Sequence, residues 1–124
     1  TLNCLDNVRL PAGFGGGDGA RALELLGLVG VPDKANAYPS ELSGGQQRRV
    51  AIARALMNKP RLILADEPTG DLDEETEADI MDLMVQLHKA GTTIVMVTHS
   101  RELASRAGRL LTMTSGSVSE DGSK

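Results

Sequence analysis

Two kinds of apolar spacing divide the chain. Up to about residue 58, apolar positions recur in short helix-like groups broken by loops. These groups are residues 2–10, residues 20–28 after a glycine-rich stretch at 13–19, a turn through Pro32 and Pro39, and a longer helix after Gly45. From Lys59 on, strand-like and helix-like runs alternate at 61–66, 74–90, 92–98, 101–107 and 109–114. Such alternation predicts an α/β class with a parallel sheet and crossover helices. Leu62-Ile63-Leu64-Ala65 and Thr93-Ile94-Val95-Met96-Val97 read as strands buried on both faces. Between them, Ile80, Leu83, Met84 and Leu87 fall on one helical stripe, five acids crowd residues 73–79, and Gly91 follows Lys89 as a stop. The last ten residues, 115–124, are small and polar, and a frayed tail is expected there.

Composition adds bounds. The 124 residues are 40% hydrophobic and 24% charged, the range of one globular domain or a piece of one. Phe14 and Tyr38 are the only aromatics, so the core must be aliphatic and thin for a free-standing domain. A lone cysteine, Cys4, forms no intrachain disulfide and reads as a buried apolar residue in a reducing compartment. The net charge of −4 argues against a surface that works by neutralising nucleic-acid phosphates. No apolar run approaches the roughly 20 residues that span a bilayer. The chain begins at Thr1 rather than Met, which leaves a preceding targeting segment open.

Four stretches are candidates for chemistry. The glycine-rich residues 13–19 suggest a phosphate cradle, but Gly19 is followed by Ala20-Arg21-Ala22 rather than by lysine and Ser or Thr, and no strand precedes them. A flexible linker is the better reading. Ser43-Gly44-Gly45-Gln46 stands at the start of the helix that carries Val50, Ala53 and Met57. It reads either as an ordinary capped helix or as an anion site, in which small residues leave the first N–H groups open to a phosphate. Asp66 and Glu67 end an apolar strand, and neighbouring strand residues point differently, so one acid can serve Mg²⁺ and the other a water; a solvated pair is the plain alternative. His99 follows the second strand at the same edge, where a structural histidine is the commoner case. His88, on an acidic helix, belongs to that commoner class.

Taken together, these stretches closely resemble the ATP-binding subunit of ABC transporters. The match comprises the signature Leu42-Ser43-Gly44-Gly45-Gln46 with Gln47-Arg48-Arg49-Val50-Ala51-Ile52-Ala53-Arg54-Ala55-Leu56 behind it. It continues through the Walker B strand ending Asp66-Glu67-Pro68-Thr69, the D-loop Gly70-Asp71-Leu72-Asp73 and the switch Val97-Thr98-His99. Within the family, residues 65–73 look most like the lipoprotein-release and macrolide-export type. The family's A-loop aromatic, Walker A loop and Q-loop glutamine are not in this sequence, and residues 1–11 look like the segment that follows the Q-loop. The resemblance therefore implies a partial P-loop NTPase fold. Residues 1–58 would be part of the helical signature subdomain, residues 59–114 part of an α/β core lacking the Walker A strand, and residues 115–124 a polar tail.

What the resemblance implies for function is hydrolysis of ATP with Mg²⁺ in a head-to-tail dimer that drives a membrane permease. Ser43, Gly44, Gly45 and Gln46 would meet the nucleotide held by the partner subunit. Asp66 would hold Mg²⁺ through water, Glu67 would activate the attacking water, and His99 would stabilise the γ-phosphate. Asp73 would carry communication across the dimer. The location implied is the cytoplasmic face of the membrane, peripheral through the permease. Two other readings remain: a truncated subunit that pairs without catalysis, and an ABC-type ATPase of DNA repair, which the acidic balance and the lack of heptads oppose.

Overall fold

A computed structural model describes residues 2–13, 19–70 and 72–120. Most of the glycine-rich stretch and Asp71 of the D-loop lie outside these residues. Helix α1 (Cys4–Arg9) starts where the Asn3 side chain accepts from the Asp6 N–H. It is shorter than the 2–10 periodicity suggested, because Pro11 turns the chain into a 3₁₀ turn at Leu10–Ala12. Helix α2 (Gly19–Leu28) and helix α3 (Gly44–Leu56) follow, with short 3₁₀ turns at Pro32–Lys34 and Pro39–Glu41 between them. Cys4 and Val8 of α1, Ala22, Leu25 and Leu26 of α2, and Val50, Ala53 and Leu56 of α3 form one apolar core. Arg21 locks α2 to the end of α3, donating from Nε to the Met57 carbonyl at 2.9 Å and from Nη2 to the Leu56 carbonyl at 2.8 Å. Those carbonyls lie at the end of α3, past the reach of the helix's own N–H ladder, and the Leu56 carbonyl also accepts from the Lys59 N–H at 3.0 Å. Cys4 takes the buried apolar role expected, and burial pushes its thiol pKa up.

Strand β1 (Leu62–Asp66), helix α4 (Glu74–Lys89) and strand β2 (Thr93–Val97) make a parallel βαβ unit in which Asp66 lies opposite Val97. The expected α4 stripe of Ile80, Leu83, Met84 and Leu87 is buried, with Met81 beside it. Leu83, Leu87 and Ile63 join the core that the three earlier helices share. Gly91, at a φ of +109°, ends the helix region where a left-handed residue is needed.

The strands are not buried on both faces, as their composition suggested. Ile63 and Ala65 are buried, whereas Leu62 is 50% and Leu64 74% exposed, and Val95 and Val97 are likewise exposed. The sheet here has two strands with the core on one side, and among the described residues nothing covers the other. A second correction concerns the tail. Residues 117–120 form strand β4 (Ser117–Glu120), antiparallel to β3 (Leu111–Thr114), across a two-residue loop, Ser115-Gly116. Both loop residues have positive φ, the tight geometry that matches the twist of a hairpin. Arg109 closes its base on Glu120. Helix α5 (Arg101–Ala104) ends short of the 101–107 run, since the turns after it tighten onto Leu103 and Ala104 carbonyls. Among the described residues β1 with β2 and β3 with β4 form separate two-stranded sheets.

Candidate functional site

The acidic edge is built where β1 and β2 end. One residue past β1, Glu67 adopts φ +47°, a left-handed backbone that costs a non-glycine residue about 1–3 kcal/mol. Its neighbours hold it there. The Glu67 N–H donates to the Val97 carbonyl at 2.8 Å, and its own carbonyl accepts from the Gly70 N–H at 3.1 Å. The left-handed step carries the carboxylate across to β2, where Oε1 accepts from the His99 N–H at 2.9 Å. His99 Nε2 stands 3.5 Å from the same oxygen, with the imidazole 99% and the carboxylate 37% exposed. The two strand ends thus present Asp66, Glu67 and His99 together at the carboxyl edge of the sheet, where ligands of open α/β folds bind.

The signature lies on a separate element. Ser43 caps α3, its Oγ accepting from the Gln46 N–H at 3.1 Å while Gln46 Oε1 accepts from the Ser43 N–H at 3.0 Å. Two donors of the helix start are thereby satisfied reciprocally. Gly44 and Gly45 fill the first turn, where helical N–H groups have no partner within the helix. Gly45 also meets a packing demand. A Cβ there would stand 2.5 Å from Thr76 Cγ2, so the missing side chain is what lets α3 lie against the first turn of α4. Ser43, Gly44, Gly45 and Gln46 make no hydrogen bond to Asp66, Glu67 or His99 among the described residues.

Asp73 is the N-cap of α4 and accepts from the Thr76 N–H at 2.8 Å. Hydrogen bonds from Thr76, by its hydroxyl and then its backbone, hold the Asp73 carboxyl below its ordinary pKa. Among the described residues no three His, Cys, Asp or Glu side chains are arranged to hold a metal. Asp66 offers a single carboxylate instead, a donor set that fits Mg²⁺ shared with phosphates and waters and not an all-protein cage.

Two residues escaped the sequence reading. Arg48 of α3 donates from Nη1 to the Glu67 carbonyl at 2.9 Å and from Nη2 to the Gly70 carbonyl at 3.1 Å. Arg49 donates to the Val29 carbonyl at 2.9 Å and pairs with Asp79 of α4 at 3.1 Å. Their partners are mostly main-chain oxygens about 20 positions away, which leave no trace in a side-chain pattern. An open cavity of about 390 Å³ lies beside Arg48, lined also by Gly44, Gln47, Ala51, Gly70 and Leu72.

Comparison with known proteins decides the family. The family sequence model described as ABC transporter matches residues 5–70, more than half of the chain. The chain belongs to the ABC transporter family. A macrolide export ATP-binding/permease protein of Brucella melitensis is 45% identical over the whole chain, which spans 20% of that protein. An uncharacterized ABC transporter ATP-binding protein of Methanocaldococcus jannaschii is 46% identical, over 97% of the chain and 55% of its own length. Among solved structures, the ATP-binding cassette MJ0796 bound to ADP and Pi, in a dimeric post-hydrolysis state, superposes with a TM-score of 0.84 at 43% identity. That superposition covers 97% of this chain and 56% of the cassette. The chain forms part of the P-loop NTPase fold, and the likeness of residues 65–73 to the macrolide-export type agrees with these relatives. No helix among the described residues is long and apolar enough to cross a membrane.

Proposed function

We propose that this chain is the signature-to-switch part of a subunit that hydrolyses ATP to power a membrane transporter of the exporting, macrolide-export-like type. Residues 1–58 would belong to its helical subdomain and residues 59–114 to its α/β core. The observation that carries the reading is the shared hydrogen bond between Glu67 and His99 beside Asp66, at the edge where a γ-phosphate would sit. Because the His99 N–H occupies Oε1, the second carboxylate oxygen of Glu67 is the one left to orient a water and take its proton. The hydroxide so formed attacks the γ-phosphorus as the ADP oxygen leaves. Base assistance of this kind is worth about 10²–10⁴ in rate. The His99 imidazole, almost fully exposed, is available to donate to the γ-phosphate as its charge spreads. Mg²⁺, reached by Asp66 through water, would supply charge neutralisation between the phosphates.

Ser43, Gly44, Gly45 and Gln46 would serve a nucleotide held by a second subunit facing head to tail, because in their own chain they make no hydrogen bond to the acidic edge. Asp73, already the cap of α4, would lie at the junction of the two subunits. Partners are then a second such subunit and a permease, with the cassette peripheral on the cytoplasmic membrane face. Mixing two inactive full-length variants tests this arrangement. Ser43→Arg and Glu67→Gln should each abolish phosphate release alone, and their mixture should recover it, since the mixed dimer contains one site with an intact Glu67 and an intact partner Ser43. No recovery on mixing would mean that the signature and the base of one and the same chain act in a single site.

A further inference from the structure

Helix α3 meets the chain that runs on from β1 at two points. At its start, Gly45 packs on Thr76, just after the turn that follows β1. One helical turn later, Arg48 forks across that same turn, Nη1 to the Glu67 carbonyl and Nη2 to the Gly70 carbonyl. The guanidinium is partly buried and planar, so its two bonds fix both ends of the turn at one relative position. Glu67 needs such support, because a left-handed non-glycine backbone persists only where its surroundings over-determine it. Four bonds do so here: N–H to Val97, carbonyl to Arg48 and to Gly70, and Oε1 to the His99 N–H. Three come from β2 and the turn itself. The Arg48 bond alone comes from the signature helix.

We infer that Arg48 is a positioning residue that ties the orientation of Glu67 to the placement of signature helix α3. This rests on the proposed function, in which α3 answers to one nucleotide and Glu67 acts on the other. A shift of α3 when its signature engages the partner's nucleotide pulls on the Glu67 carbonyl through a rigid fork, and so sets the carboxylate of the second site. Arg48 thereby links the two sites of the dimer within one chain. Lysine has one ammonium and no fork, so it cannot hold both carbonyls in fixed relation.

The test uses the full-length protein and the steady-state ATPase rate of Arg48→Ala and Arg48→Lys, each in the native and the Glu67→Gln background. Misplacing a reacting group by about 1 Å can cost about 10²-fold. Arg48→Ala should therefore lower kcat by roughly ten- to a hundredfold, with KM for ATP changed less than about twofold, and Arg48→Lys should recover only part of the loss. In the Glu67→Gln background, Arg48→Ala should lower the residual rate no further, because the residue acts through Glu67. An equal fractional loss in both backgrounds, or a rise in KM with kcat intact, would overturn the inference in favour of a general structural role. Should Arg48→Ala not fold, Arg48→Lys carries the same comparison. If Glu67→Gln loses turnover while both Arg48 variants keep it, the positioning role alone falls; if Glu67→Gln keeps turnover, the base assignment falls and takes the positioning role with it.

Discussion

At the scale of single residues, Gly45 shows how one position can satisfy a family motif and a local packing demand at once. The sequence made its smallness visible but not its neighbour. Thr76 is 31 positions away on another helix, and only the fold brings its Cγ2 within 2.5 Å of where a Cβ would stand. Gly45→Ala should therefore destabilise the protein by about 1–3 kcal/mol through overpacking. Thr76→Ser removes the offending methyl while keeping the hydroxyl beside Asp73, and in that background Gly45→Ala should cost less than half as much. Urea melts of the four variants check this, and equal costs in both backgrounds would mean that Thr76 is not the obstacle. The same limit hid Arg48. Its type was plain, but its partners are the carbonyls of Glu67 and Gly70, and main-chain acceptors carry no sequence signal. By contrast Asp66, Glu67 and His99 were legible, because two apolar strands that end in polar residues at one sheet edge must bring those residues near each other.

At the scale of elements, legibility followed the strength of the local signal. Helix α4 was readable end to end: acids at its start, an aliphatic stripe, a glycine beyond its last turn. The β4 strand was not, since Ser117-Val118-Ser119-Glu120 has a single apolar residue and owes its pairing to the Ser115-Gly116 turn and the Arg109–Glu120 contact. The cap of α4 makes a pH prediction. The Asp73 carboxyl titrates below its ordinary range in the folded protein, chiefly through the Thr76 hydroxyl and then its N–H. A group whose folded pKa is depressed adds stability that is present above the unfolded pKa and is lost as pH falls through the folded one. Asp73→Asn keeps a capping side chain but has no proton to bind. The variant should thus lose less stability than the native protein as pH falls below about 4. Thermal melts at pH 7 and pH 3 measure the difference, and parallel losses would show that the Asp73 bonds to Thr76 do not persist in solution.

At the scale of the whole molecule, the α/β class, the helical first part and the parallel pairing of the two apolar runs all followed from periodicity. The extent of burial did not. A run such as Leu62-Ile63-Leu64-Ala65 states that a strand can be covered on both faces, not that it is, and here Leu64 and Val95 face outward while Ile63 is in the core. The family was legible because its motifs are carried by side chains in fixed order along the chain, and the family model matches residues 5–70, the part that holds the signature and the Walker B strand. The central claim is that Glu67 is the base of an ATP-hydrolysing site, and it is tested most directly by comparing turnover and nucleotide affinity in the full-length protein with Glu67→Gln. Glutamine keeps the size of the side chain and an oxygen for the His99 N–H, but cannot take a proton from water. The account predicts a fall in steady-state phosphate release of about 10²-fold or more with ATP affinity essentially unchanged, so that ATP-bound protein accumulates. A variant that retains more than about a tenth of the native rate, against that expected loss, would contradict it.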